Sequence, residues 1–341
     1  MPATPAEPHD APTPEVPNRV RFPGCPIDVA PLGVGTWAWG DQNTWGMGGY
    51  DAQLTEATIA EAFDASLEAG LTLFDTAEGY GEGESERIIG RLLAAEPTRR
   101  DRAVLATKFF PAPWKLNVRS ALRRALEGSI ERLGVDKVHL YQLHGPISLR
   151  SHAVLAEALA EAVQDKLCDA VGVSNYSVGE MGSIHAQLAS RGVPLASNQI
   201  EYSLLRRRPE TTGLIEACTR LGVIPLAYSP IGQGRLTGKY TAANPPPKGR
   251  TFSAHPMEQV DRITAELARI GEPHDRTPAQ VSLAWLIAKG AVPIPGAKNA
   301  DQAAQNAGAL GWSLTPEELD VLDGLALEGQ RTIPHRIWQH G

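Results

Sequence analysis

Cysteine is scarce in this chain of 341 residues: only Cys25, Cys168 and Cys218 are present. An odd number at such wide spacing makes neither a disulfide framework nor a zinc site, and a reducing, cytoplasmic location is expected. No stretch approaches the roughly 18 consecutive apolar residues of a membrane-spanning helix. A basic excess is also missing. With 32 Lys and Arg against 39 Asp and Glu, the formal charge of −7 leaves no electrostatic footprint for nucleic acid or an anionic membrane. The opening segment MPATPAEPHDAPTPEVPN has no apolar core and no arginine. It therefore reads as neither a secretory signal nor a typical transit peptide, but as a disordered Pro/Ala-rich tail over 1–18.

The whole chain is 42% hydrophobic and 21% charged, enough to build a core, and residues 19 to 341 read as one globular domain. Arg19–Phe22 and Pro26–Ala30 flank Pro23-Gly-Cys and suggest a hairpin. Helical stretches and short apolar strands then alternate. Helices are expected at about 55–69, 84–95, 117–133, 150–166, 178–191 and 209–220, and a last one from Pro278 to Lys289. Strands are expected at about 32–35, 71–74, 103–107, 138–143, 169–173, 196–200, 223–228 and 291–295. Eight such units predict a parallel sheet closed into a (β/α)8 TIM barrel, with an N-terminal hairpin and extra C-terminal helices at about 299–309 and 315–328. The stretch Thr241 to Pro256 is too long for a passive connection and reads as a functional loop. Glu328 to Gly341 shows no clear periodicity and is expected to fold over a barrel mouth.

A Rossmann fingerprint is absent too. Gly33-Val-Gly35 lacks the third glycine and the later acidic residue, so a dinucleotide would have to be held in another way.

The chemistry collects at the strand ends. The run Leu71-Thr-Leu-Phe-Asp-Thr-Ala-Glu-Gly-Tyr80-Gly places Asp75 at the lip of the second barrel strand and Tyr80 in the loop beyond. Lys108 follows the third strand and His144 the fourth. Taken singly, each has a plain structural role: a turn cap, loop packing, a rim lysine, a core histidine. Together, on neighbouring strands about 5 Å apart, they can share one pocket. A lysine ammonium beside a tyrosine is expected to lower the phenol's pKa, and Asp75 would hold Lys108 charged. That set, with His144 placing a carbonyl oxygen, suits proton transfer to oxygen when hydride is delivered to a carbonyl carbon.

These residues resemble those of the aldo-keto reductases. The resemblance runs from Leu32 to Trp312 through Leu32-Gly-Val-Gly-Thr-Trp37, Phe74-Asp-Thr-Ala-Glu-Gly-Tyr80-Gly, Ala106-Thr-Lys108, Leu143-His144, Gly172-Val-Ser-Asn175, Asn198-Gln199, Ala227-Tyr-Ser-Pro-Ile-Gly232, Leu236-Thr-Gly-Lys239 and Ile294-Pro-Gly296-Ala-Lys298. Gly296-Ala-Lys-Asn and Gly308-Ala-Leu-Gly-Trp312 are similar to the branch with plant plastid and cyanobacterial members and pyridoxal reductase. The resemblance implies NADPH-dependent reduction of an aldehyde or ketone. Asp75, Tyr80, Lys108 and His144 would form the catalytic tetrad, with Tyr80 as general acid, and no metal would take part. Ser174, Asn175 and Gln199 would hold the nicotinamide carboxamide and Tyr228 would stack on the ring. Ser229, Pro230, Ile231, Gly232, Gly234, Leu236 and Lys239 would surround the pyrophosphate, with the backbone N–H groups at Gly232 and Gly234 approaching phosphate. Gly296, Lys298, Gln302, Gln305 and Asn306 would hold the adenosine phosphate at a helix N-terminus, Lys298 and Arg250 facing the 2′-phosphate. Gly35, Thr36, Trp37, Asp75 and Ile294 complete the expected cofactor contacts.

Two departures bear on the substrate. Gln305 stands where many relatives carry a glutamate, and Gly145 stands where many carry a large aromatic or an Asn. The missing side chain at Gly145 is expected to enlarge the pocket for a bulky carbonyl compound. Trp37, Trp39, Trp45 and Trp114 are candidates for its aromatic wall, beside Tyr80 and His144, and His335 to Trp338 for a closure. Two other functions remain open: a nicotinamide-binding regulatory subunit with little turnover, and an enzyme working mainly in the alcohol-oxidising direction.

Overall fold

The computed structural model describes residues 18–43, 47, 51–246, 255–329 and 333–341, with backbone alone at 333–335. Residues 1–17 of the expected tail over 1–18, Trp45, Arg250 and half of the 241–256 loop, 247–254, lie outside the described residues, as does the His335 side chain.

Strands β1 (Val20–Arg21) and β2 (Asp28–Val29) pair antiparallel as the expected hairpin. The main sheet has eight strands in sequential order, every neighbouring pair parallel: β3 (Val34–Gly35), β4 (Leu73–Asp75), β5 (Val104–Phe109), β6 (Val138–Leu143), β7 (Cys168–Ser174), β8 (Leu195–Glu201), β9 (Ile224–Tyr228) and β10 (Val292–Pro293). A parallel bridge between Gly35 and Gly296, with Gly33 N–H on Pro293 O at 2.9 Å and Gly35 N–H on Pro295 O at 3.0 Å, joins the first strand to the last. A Cβ at Gly35 would stand 2.7 Å from Ile294 O, so only glycine permits that seam. The sheet is thereby a closed barrel, as expected.

Period-two alternation divides the strand residues between two cores. Leu73, Val104, Ala106, Leu140, Ala170, Ala196, Leu226, Val292 and Ile294 fill the barrel interior, together with Phe22, Cys25 and Val29 from the hairpin region. The hairpin thus stoppers the N-terminal end of the barrel. Phe74, Leu105, Tyr141, Val171 and Val173 point outward into the larger core under the helices. Cys25, Cys168 and Cys218 are all free and buried.

The helices follow their sequence signals. Glu56–Glu68 starts at a capping box between Thr55 and Thr58 and is left through Gly70 at φ +80°. Val178–Ala189, Pro278–Ala288 and Pro316–Leu325 begin at Ser177, Thr277 and Thr315 in the same way. One expected helix is divided into Arg208–Thr211 and Leu214–Leu221 by Gly213 at φ +74°. Three α-helices among the described residues were not expected: Ile333–Trp338, Pro97–Arg102, and Met257–Gly271, which buries Val260, Ile263, Leu267 and Ile270 at helical spacing. Ala300–Ala307 and Pro316–Leu325 are the two anticipated C-terminal helices, and a further one, Ile333–Trp338, forms in the segment without periodicity. Among the described residues no helix is long and apolar enough to cross a membrane.

Two glycines set a test of the packing between helices. A Cβ at Gly90 on Glu84–Ala95 would lie 2.2 Å from Arg132 O on Val118–Leu133, whereas one at Gly324 meets open space. Gly90→Ala should lower stability by about 1–3 kcal/mol through overpacking, while Gly324→Ala should be neutral or gain up to about 1 kcal/mol from helix propensity. Urea unfolding of the two variants checks both signs.

Candidate active site

The site sits one layer above the apolar filling of the barrel, where the same alternation turns polar side chains inward. Strand register aligns Asp75 with Ala106, Lys108 with Gln142, Gln142 with Gly172, and Ser174 with Gln199. Asp75, Lys108 and Gln142 are each at most 1% exposed. Gly172 is required beside them, because a Cβ there would lie 2.1 Å from Ser197 Oγ, which donates to Gln142 Oε1 at 3.1 Å.

Lys108 Nζ uses all three of its donors inside the protein. It bonds Asp75 Oδ2 at 2.5 Å, Thr76 O at 2.8 Å and Tyr80 OH at 3.2 Å. The other Asp75 oxygen accepts from Gln199 Nε2 at 2.8 Å and Gln142 Nε2 at 3.3 Å. Burial works against the Lys108 ammonium, but the charge of Asp75 and the contact with Tyr80 outweigh it and hold Lys108 above its ordinary pKa. For Tyr80 the balance corrects the sequence expectation. Burial raises the phenol, Asp75 adds to the rise, and Lys108 only partly opposes it, so the net direction is upward. The His144 ring meets the Tyr80 ring edge-on at 5.6 Å between centroids. Burial and the Lys108 charge depress this imidazole to about 3, which keeps it neutral with one N–H to donate. Its Nδ1 is buried and has no hydrogen-bond partner among the described residues.

Beside this group lies a second chain of polar contacts. Tyr228 OH donates to Asn175 Oδ1 at 2.9 Å, Asn175 Nδ2 to Ser174 Oγ at 3.2 Å, and Ser174 Oγ to Gln199 O at 2.9 Å. Four residues expected at the nicotinamide are therefore contiguous with Asp75.

The loop after β9 is only partly as expected. Ser229, Gly232, Gln233 and Gly234 all have φ between 51° and 86°. The N–H groups of Gly232 and Gly234, however, are bonded to Ser229 O at 2.9 Å and Ile231 O at 3.0 Å. These glycines supply the left-handed turn; they do not offer free N–H groups to a phosphate. Pro230 is buried and Ile231 half-buried, while Leu236 belongs to the large core and Ile294 to the barrel interior, so the last two have no side chain free for a ligand. Thr36 Oγ1 is likewise spent, on Asp75 O at 3.0 Å and Ser85 Oγ at 2.9 Å. Lys239 is exposed, with Nζ 4.8 Å from the Tyr240 ring centroid.

At the other expected phosphate position, Lys298 and Gln302 stand at the start of Ala300–Ala307, and Gly296, Gln302 and Gln305 are exposed. Lys298 Nζ pairs with Asp51 Oδ2 at 2.9 Å. Asn306 is buried and donates to Gly296 O at 3.2 Å, which holds the turn together.

The substrate side carries the largest corrections. Trp39 is fully buried between Phe63 and Phe74, its Nε1 bonded to Ala297 O at 2.8 Å, and is a core residue with no surface to offer a substrate. Gly145 does not enlarge the pocket: a Cβ there would meet the Trp338 ring at 3.0 Å, so an indole from the C-terminal segment fills the vacated space. Trp338 also stacks on Phe110 at 5.6 Å and meets His144 edge-on at 5.5 Å. Trp37 and Trp114 remain 40% and 76% exposed. Residues the sequence reading did not single out are Gln142, Ser197, Phe110, Asp51 and Gln339. Gln142 was findable as a polar residue at an inward position of an apolar strand; Asp51 and Gln339 arrive from distant segments, without a periodic signal.

Comparison with known proteins agrees with this geometry. The Aldo/keto reductase family model matches residues 31–326. The chain is 36% identical over 327 residues to the chloroplastic pyridoxal reductase of Arabidopsis thaliana, covering 92% of this chain and 88% of that one. Among solved structures it is similar to the glycerol dehydrogenase of Gluconobacter oxydans, with TM-score 0.78 and 26% identity over 93% of this chain and 98% of that one. It is also similar to an aldo/keto reductase of Klebsiella pneumoniae solved with NADP and acetate, with TM-score 0.70 and 29% identity over 92% and 97% of the two chains. A closed parallel barrel, polar residues gathered at its strand ends, and a family match across most of its length together make this chain an oxidoreductase of the aldo-keto reductase family.

Proposed function

We propose that the chain reduces an aldehyde or ketone to an alcohol with NADPH, Tyr80 acting as general acid. The observation that carries this reading is the Lys108 ammonium, buried and bonded at once to Asp75 and to the Tyr80 hydroxyl, with a neutral His144 alongside. A phenol held protonated by burial is a proton donor at neutral pH, and the adjacent ammonium stabilises the phenolate left after transfer. The neutral imidazole can donate to the carbonyl oxygen and place it near Tyr80. When bound, the nicotinamide supplies hydride to the carbonyl carbon.

The donor set suits that cofactor. Amides and hydroxyls of Ser174, Asn175 and Gln199 are complementary to a carboxamide, and the half-buried Tyr228 ring beside them to a flat heterocycle. NADPH is favoured over NADH because a lysine, Lys298, stands at a helix start, and its present partner Asp51 is a carboxylate that a phosphate can replace. The Klebsiella relatives were solved with NADP and with NADPH, and the Arabidopsis relative is named for pyridoxal, which puts that aldehyde first among the carbonyl compounds to assay.

Tyr80→Phe should cut carbonyl reduction by about 10²–10⁴-fold while NADPH still binds. Normal turnover by this variant on every accepted substrate would remove Tyr80 from the role. Tight NADPH binding by the unaltered protein, with no turnover on any carbonyl compound, would favour the regulatory-subunit reading.

The pH profile follows from the same shifts. His144 is neutral above about 3 and Tyr80 stays protonated past its ordinary value, so kcat for reduction should be level from pH 5 to 9. It should fall only as Tyr80 ionises, above about pH 10. A break near the ordinary histidine range would show that His144 titrates during turnover.

Trp338→Ala should open the space beside Gly145. Steady-state kinetics should show kcat/KM rising for bulky aromatic ketones and falling for small aldehydes, by about tenfold in either direction for one apolar contact surface.

A further inference from the structure

The C-terminal segment does more than cover the pocket. Gln339 is 3% exposed, and its Nε2 donates to Tyr228 OH at 2.6 Å. Tyr228 OH then donates to Asn175, Asn175 to Ser174, and Ser174 to the carbonyl of Gln199, whose own amide donates to Asp75. The links from Gln339 through Tyr228, Asn175 and Ser174 give in the same sense and polarise one another as far as the Gln199 main-chain carbonyl; the side-chain amide of that same residue, a separate group, makes the contact with Asp75. At its outer end Gln339 Oε1 is buried and accepts from no donor among the described residues. A buried acceptor in that state is costly unless a ligand provides a donor.

The backbone holds Gln339 in place on both sides. Trp338 is wedged against Phe110 and Gly145. His340 N–H bonds Asn175 O at 3.1 Å, and its Nδ1 lies 2.8 Å from Glu180 Oε1, the carboxylate of the residue that also completes the Ser177 capping box. A Cβ at Gly341 would stand 2.9 Å from Tyr176 O.

We propose that Gln339 is a positioning residue of the nicotinamide site: it fixes the Tyr228 hydroxyl and presents Oε1 as an acceptor for the carboxamide amine. The C-terminal segment is then part of the cofactor site as well as the wall of the substrate pocket. This rests on the NADPH reading above.

The test uses the full chain and two probes, NADPH and 2′,5′-ADP, which keeps the adenosine-phosphate half and lacks nicotinamide. In Gln339→Leu the NADPH Kd, read by quenching of tryptophan fluorescence, should rise about tenfold, the worth of one to two hydrogen bonds, while 2′,5′-ADP binding stays unchanged. In a Tyr228→Phe background the same substitution should add much less, because the hydroxyl that links Gln339 to Asn175 is gone. Equal weakening of both probes would show that Gln339 only supports the fold, and no weakening of either would show that it touches nothing of consequence; each result overturns the proposal. If the unaltered protein binds 2′,5′-ADP but not NADPH, or neither, the NADPH reading itself fails, and that outcome is seen before any variant is compared.

Discussion

The ion pair between Lys108 and Asp75 is the constraint on which the site depends. Two opposite charges at the top of a closed barrel, both essentially without solvent, are tolerable only if every remaining donor and acceptor finds a partner. Removing one charge would leave the other buried and uncompensated, typically at a cost of about 3–5 kcal/mol. The surrounding residues meet that demand: Thr76 O and Tyr80 OH take the other two Lys108 donors, and Gln142 and Gln199 cover the free Asp75 oxygen. Stability and chemistry share the same bonds, since the contact that satisfies Lys108 is also the one that sets the Tyr80 hydroxyl.

From that pair the polar network extends in two directions. Through Gln142 it reaches Ser197, and the room for that contact exists because position 172 has no side chain. Through Gln199 it reaches Ser174, Asn175 and Tyr228 on the ends of β7 and β9, and then the C-terminal segment. The barrel supplies the rim, and the C-terminal segment brings Trp338 and Gln339 onto it. Trp338 fills the place beside His144 that a large residue at 145 would take, so this packing is carried by a segment almost two hundred positions away in sequence.

Electrostatics and burial pull against each other at Tyr80. Proximity to an ammonium lowers a phenol's pKa in water, and sequence reasoning gave that effect the greater weight; in the structure, desolvation is larger and the phenol stays protonated. A proton donor for a reduction must begin protonated, so the outcome serves the proposed chemistry, with Lys108 acting on the product of proton transfer.

The sequence by itself determined the barrel and which polar residues gather at its rim. Apolar runs at strand length, helical spacing between them and Gly stops fix local structure, and the one-residue offsets that put Asp75, Lys108 and His144 at strand ends are legible because side-chain direction alternates with period two. Gln142 was within reach of the same rule, and Met257–Gly271 within reach of helical periodicity. Only the tertiary structure decided what depends on packing between distant segments. It buried Trp39 between Phe63 and Phe74, spent the Gly232 and Gly234 N–H groups inside their own turn, set Asp51 against Lys298, and folded Trp338 and Gln339 onto Gly145 and Tyr228. No periodicity encodes such contacts, because each is settled by which surfaces remain uncovered once the barrel has closed.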